Sequence, residues 1–460
     1  MNRSIPAGIA LALAAPLGAL ADTSSDIQAL RRELESLRTD YETRLRTLEQ
    51  RVKAAEAVAA AVPAQPAAAS ASVAASPVLP PTPAASPSAF NPAMSLILSG
   101  GYTRTSRDPA NYRISGFQLP PDAEVGPGTR GFSLAETELG FSASIDPFLR
   151  GAANIALHPD NSVSVEEAYV QTTALGNGLS LKAGRFLSGV GYLNAQHAHT
   201  WDFADAPLAY QAMLGTQFGD DGVQLTWLAP TEQFIELGLE LGRGRSFPGS
   251  DTGRNRAGMA AVTAHTGGDI GDSHSWRAGL SMLNARATSQ ALAALNAASD
   301  PVTNAFSGRT RVWVLDGVWK WAPNGNATRT SFKLQGEYMR SVARGALTYD
   351  VDGAAVTDGY RAAQSGWYLQ GVYQFMPRWR VGLRTERLDA GSADFGINAA
   401  TLAGSGWHPR KKTLMVDYNP SEFSRVRLQL ARDNAREGRA DNQLFLQYQM
   451  SLGAHGAHRY

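Results

Sequence analysis

The sequence predicts an all-β transmembrane barrel of about sixteen antiparallel strands, preceded by a periplasmic α-helical coiled coil. Three observations carry that expectation. From Met94 onward apolar and polar residues alternate with period two. The connections between alternating segments are short and long by turns. Before Met94 the period is that of a helix instead.

The elements follow in order. Residues 1–21, MNRSIPAGIALALAAPLGALA, read as a secretory signal peptide, with Arg3 at its charged start and Ala19-Leu20-Ala21 as a small-x-small cleavage site. No later stretch reaches ~18 uninterrupted apolar residues, so no membrane helix is expected. Over 22–60, Ile27, Leu30, Leu34, Leu37, Tyr41, Leu45, Leu48, Val52, Ala55 and Ala59 form a heptad seam with a stutter at Tyr41–Leu45. The seam is too narrow for the buried face of a surface helix, so it predicts self-association. It does not set the number of copies; the expected assembly is a homotrimer through the coiled coil and barrel walls. Residues 61–93 are an Ala/Pro/Ser linker, read as an extended tether.

Residues 94–460 carry the barrel. ETELGFSASI sets Leu139, Phe141, Ala143 and Ile145 against Glu138, Gly140, Ser142 and Ser144. RVWVLDGVWKW sets Trp313, Leu315, Trp319 and Trp321 against Asp316 and Lys320. Short turns stand near Asp146, Leu175, Ala229, Ala322, Met376 and Asn419. Long loops are expected near 105–130, 188–214, 245–257, 286–309, 342–364, 390–410 and 434–441. An even strand number leaves both barrel termini on the side of the coiled coil. The last segment keeps Leu446, Tyr448, Met450, Leu452 and Tyr460 in one parity, and its aromatic end suits recognition by the barrel-insertion machinery.

Charge and composition narrow the function. The formal net charge is +1, which gives no reason to expect nucleic acid. There is no cysteine, hence no disulfide and no thiolate metal site. No Gly-x-Ser-x-Gly, Walker loop or HExxH is present, so no enzyme is expected.

If the apolar faces meet outer-membrane lipid, the other parity lines a lumen. It carries Glu136, Glu138, Glu236 and Glu240 early, with Lys182 the exception. Later it carries Arg277, Lys333, Arg380, Arg384, Arg425 and Arg427, partly offset by Glu337, Glu386 and Asp417. One wall is thus acidic and the other basic, an arrangement that orients dipolar solutes and sets ion preference. Loop 188–214, the longest clean loop of the N-terminal half, bears His197, His199, Asp202 and Asp205; its place after the fifth strand resembles that of the porin loop that folds inward, and the resemblance implies a constriction here. His197 and His199 project to one side of an extended backbone, and Asp202, or else Asp205, completes a nitrogen and oxygen set suited to zinc. No cofactor is otherwise required.

LKAGRFLSGVGYL at 181–193, SVEEAYVQ before it and DDGVQLTWLAP after it resemble the phosphate-selective porins, chiefly over residues 131–230. Here Ser188-Gly189 replaces that family's Pro-Phe. The coiled coil, linker and QHAHTWDF together resemble a proteobacterial group labelled zinc-regulated TonB-dependent outer-membrane receptors, though no plug domain is recognisable. The resemblance implies a Gram-negative outer-membrane location. It also implies a porin-like channel for passive uptake of small hydrophilic solutes or ions. The alternatives are a zinc-responsive metal-uptake receptor binding at His197 and His199, and a structural envelope protein.

Overall fold

A computed structural model describes residues 92–453 except 136, 252, 254 and 403. The expected signal peptide and coiled coil, most of the linker, Glu136 and Tyr460 lie outside the described residues.

Sixteen strands follow one another: β1 Ala93–Thr105, β2 in two halves Gly131–Leu134 and Thr137–Ser144, β3 Leu149–Leu157, β4 Val163–Thr172, β5 Leu179–Leu187, β6 Gly219–Leu228, β7 Phe234–Gly242 and β8 Met259–Ile270. The second half comprises β9 His274–Leu295, β10 Pro301–Trp321, β11 Ser331–Tyr349, β12 Val356–Met376, β13 Trp379–Asp394, β14 Arg410–Ser421, β15 Ser424–Asp433 and β16 Asp441–Gly453. Each pairs antiparallel with the next. The ring closes where β16 meets β1, with Leu98 opposite Met450 and Tyr102 opposite Leu446. Closure leaves no sheet edge unpaired.

The pleat sorts side chains in the reverse of a water-soluble core. Outward-facing Leu237, Leu239, Trp313, Leu315, Leu414 and Leu446 are exposed, whereas inward-facing Asp417, Arg427 and Gln429 are buried. An apolar outer band around a polar interior is stable only when the band lies in hydrocarbon. Among the described residues no helix is long and apolar enough to cross a membrane.

Two expected long loops are strand instead. β9 and β10 leave only 296–300 between them, and β11 and β12 only 350–355, where loops at 286–309 and 342–364 were expected. Alternation fades there because the outer face no longer needs apolar residues. Pairing persists because the inner face packs Leu292, Phe306, Leu347 and Tyr349 against Phe395 and Leu402 of the β13–β14 connection.

Candidate functional site

The connection from β5 to β6, residues 188–218, turns into the barrel. Its first anchor is Glu240 on β7, whose carboxylate accepts from the Ser188 hydroxyl (2.6 Å) and the Gly189 N–H (2.8 Å). The second is Glu337 on β11, which accepts from the Tyr192 and Leu193 N–H groups (3.2 and 3.0 Å). The Tyr210 and Tyr368 hydroxyls also donate to it (2.8 and 2.6 Å). Between these anchors Gly191 has φ 74°, and a Cβ there would stand 2.5 Å from the Glu337 carboxylate. Only glycine fits that backbone.

Farther along, the loop meets the acidic wall. His197 Nδ1 lies 3.0 Å from Glu166 Oε2, and its Nε2 lies 3.0 Å from Glu167 Oε2. Glu138 Oε2 lies 3.0 Å from His199 Nδ1 and 3.4 Å from His197 Nδ1. The two imidazoles stack with centroids 5.7 Å apart. Burial by itself would lower the His197 pKa, but hydrogen bonds to Glu166 and Glu167 and the Glu138 charge outweigh it and hold it well above the usual range.

The aspartates then cross to the basic wall. Asp202 pairs with Lys333 (2.8 Å) and Arg380 (3.1 Å). Asp205 pairs with Lys411 (2.5 Å) and Arg384 (2.8 Å) and accepts from Gln429 (2.7 Å). Burial would raise both aspartate pKa values; the facing cations instead hold them well below the usual carboxylate range. Arg425 donates to the His199 carbonyl (3.0 Å), and Arg427 donates to the Trp201 carbonyl (3.0 Å) while pairing with Asp417. Beyond Asp205 a short helix, α1 Leu208–Leu214, is closed by Gly215 in the left-handed conformation. Every residue of α1 is buried. It packs with Ile114, Phe117 and Leu119 of the β1–β2 connection against inward Val312, Val314, Met339 and Leu388.

No family model matches the chain. A protein of Aquifex aeolicus (strain VF5), described only as an uncharacterized protein, is 30% identical over 405 residues, 82% of this chain and 81% of that one. The chain belongs to that protein's family. Among solved structures, the outer-membrane channel DcaP of Acinetobacter baumannii is 13% identical, with a TM-score of 0.48 over 78% of this chain and 96% of that one. The anion-selective porin from Comamonas acidovorans is 11% identical, with a TM-score of 0.48 over 79% and 99%. The fold rests on the strand pairing above and not on these likenesses.

The charged residues named from parity fall on the inner wall, Glu136 being outside the described residues. Lys182 lies over the Tyr169 ring (4.5 Å), Arg277 and Lys333 over Tyr192 (5.2 and 5.5 Å), and Glu236 meets His265 (3.2 Å). The acidic and basic walls do not simply face each other across an empty lumen, because the loop lies between them and pairs with both. Asp202 does not join His197 and His199: Lys333 and Arg380 hold it on the basic wall, since a carboxylate beside fixed cations gains more there than beside other carboxylates. Among the described residues the group with metal-ligand spacing is Glu138, Glu166 and His197, whose ligand atoms lie within 4.8 Å of one another.

Sequence reasoning passed over Glu166, Glu167 and Lys411. Strict alternation turns one of two adjacent glutamates toward lipid. Here a bulge opposite Asn154 and Ile155 leaves Glu166 as the extra residue, and both carboxylates reach the lumen. The adjacent pair of glutamates in a membrane strand is the signal that points to such a bulge. Lys411 and Lys412 obey alternation, with Lys411 buried inside and Lys412 exposed outside.

Proposed function

We propose that the chain is a porin-like outer-membrane channel for passive passage of small hydrophilic solutes or ions, with loop 188–218 as its constriction. One observation carries this reading. The loop spans the lumen between two charged walls, yet inward Glu236, Lys333 and Arg380 retain side-chain exposures of 36%, 25% and 24%. All three stand just after short turns, so water enters the barrel from the short-turn mouth as far as the loop, and a wet, charged vestibule suits hydrophilic solutes.

Planar-bilayer recording tests it. The protein is expected to give ohmic steps, and Asp202→Asn/Asp205→Asn to give larger or noisier steps as the loop loses its hold on the basic wall. Insertion without steps in either protein would overturn the channel reading.

The Glu138, Glu166 and His197 group supports a second reading, in which the acidic wall captures a divalent metal such as zinc. Three carboxylates around two imidazoles supply the hard and borderline donors zinc accepts. Zinc titration of the wild type, His197→Ala/His199→Ala and Glu138→Gln/Glu166→Gln decides it, and equal affinities would remove the site. A homotrimer is proposed on the heptad seam over 22–60; deleting those residues is expected to weaken trimers in detergent.

A further inference from the structure

On β10, β11, β13, β14 and β15 the outward face changes within one step from apolar or small residues to a cation. Trp313 gives way to Arg311, Tyr338 to Arg340, Thr385 to Arg387, Leu414 to Lys412 and Leu430 to Arg432. The change falls on the side of the long connections. It follows the sheet from strand to strand, with Arg340 opposite Trp313 and Lys412 opposite Arg432. A second tier lies beyond it, where Arg309, Arg344 and Arg361 stand directly opposite one another on β10, β11 and β12. Like charges so placed repel. Among the described residues none of these eight cations makes a side-chain hydrogen bond or ion pair. Of the nearby acids, Asp389 lies 3.7 Å from His408, and Asp394 stands opposite Arg361 in the second tier, which leaves the first tier the more strongly cationic. On the other wall the outward Arg185 and Arg243 are neutralised by Asp221 and Asp251.

Beneath the belt the same wall carries a shallow, open depression. A groove of about 820 Å³ is lined by Leu334, Leu369, Leu383, Leu414 and Leu430, with Lys412 and Arg432 also in its lining. An apolar groove under unneutralised cations has the chemistry of a lipid site, with chains below and anionic headgroup above. Strands stand about 4.8 Å apart, so the belt from β10 to β15 is roughly 24 Å wide, more than one phosphate spans.

We propose that the outer wall of β10–β15 docks a lipid whose headgroup carries two or more phosphates, its acyl chains in the groove and its phosphates on the cation belt. This rests on the barrel's place in a membrane and not on its conducting, so lipid retention and conductance can fail independently.

The test counts lipids held by the full chain in dodecyl maltoside, by native mass spectrometry, after incubation with bis-phosphorylated lipid A, monophosphorylated lipid A or dioleoyl phosphatidylglycerol. The wild type is expected to retain the bis-phosphorylated lipid best. Arg311→Gln/Arg340→Gln/Arg387→Gln is expected to lose retention of it by roughly a hundredfold, as three near-surface cations imply. The corresponding lysine variant is expected to keep it. Unchanged heat-modifiable migration on gels shows that the glutamine variant is folded. Equal retention of all three lipids, or equal retention by wild type and the folded glutamine variant, would overturn the proposal.

Discussion

His197 and Asp205 belong to one loop and are held by walls across the barrel from each other. The imidazole sits between the Glu166 and Glu167 carboxylates of β4, and the carboxylate sits between Arg384 of β13 and Lys411 of β14. The loop is therefore a tie across the lumen. The charge on each wall is satisfied by the opposite charge the loop brings to it, and the remaining inward charges are left for the solute path. Four predictions follow from this arrangement.

Asp205→Asn is expected to destabilise the barrel by about 1–3 kcal/mol, because it takes one of two carboxylate partners from a buried guanidinium, which keeps Glu386, and from a buried ammonium, which keeps only the longer contact to Asp433. The side chains of Lys411 and Arg384 are 0% and 1% exposed, so water cannot replace the lost partner. The urea midpoint in detergent, followed by tryptophan fluorescence, reads this out. A midpoint equal to the wild type's would contradict the tie.

The hold on the basic wall is expected to survive mild acid. Asp202 and Asp205 are depressed below the ordinary aspartate value of about 3.9. Their contribution is thus complete above that value and is lost only as pH falls toward the depressed folded one. The difference in step size between the wild type and Asp202→Asn/Asp205→Asn should persist as pH is lowered through the ordinary aspartate range and vanish only in stronger acid. A transition centred on the ordinary value would show that the two carboxylates are not paired in the membrane.

The conducting path is expected to prefer anions. On the inner strands the partly exposed cations, among them Arg150, Lys182, Arg277, Lys320, Lys333, Arg380 and Arg425, outnumber the acids that are not buried, among them Glu166, Glu236, Asp269 and Asp358. That excess raises the local concentration of anions. Reversal potentials in a salt gradient measure it, and Lys333→Gln should reduce the preference. Cation preference in the wild type would contradict the assignment of these side chains to the path.

Gly191→Val is expected to cost about 1–3 kcal/mol, since a branched residue is strained at positive φ and its Cβ meets the Glu337 carboxylate. Because Glu337 anchors both ends of the loop through Tyr192, Leu193 and Tyr210, noisier conductance should accompany the loss. Wild-type stability and quiet steps together would show that the loop does not depend on this anchor.

Much of this was legible in the residues. Alternation reports the two sides of a strand one residue at a time, so parity was sufficient to place Arg380, Arg384, Arg425 and Arg427 inside and the leucines and tryptophans outside. Turn residues and the long loop between β5 and β6 were equally visible, because each is a local property; that the loop folds inward was implied by its resemblance to porins. The hairpins over 286–309 and 342–364 were not visible: outside hydrocarbon the outer face no longer needs apolar residues, and the pattern that marks a strand disappears while its hydrogen bonds continue.

By itself, then, the sequence determined the strands, their parity, an acidic and a basic wall, and a loop carrying two histidines and two aspartates. Only the tertiary structure decided where each of those four side chains goes. Closing the ring sets β4 across the lumen from β13 and β14, and the bulge against Asn154 and Ile155 turns both Glu166 and Glu167 inward. In that enclosed space each charge on the loop is stable only beside its opposite, so the histidines part from the aspartates and QHAHTWDFAD becomes a bridge between two walls.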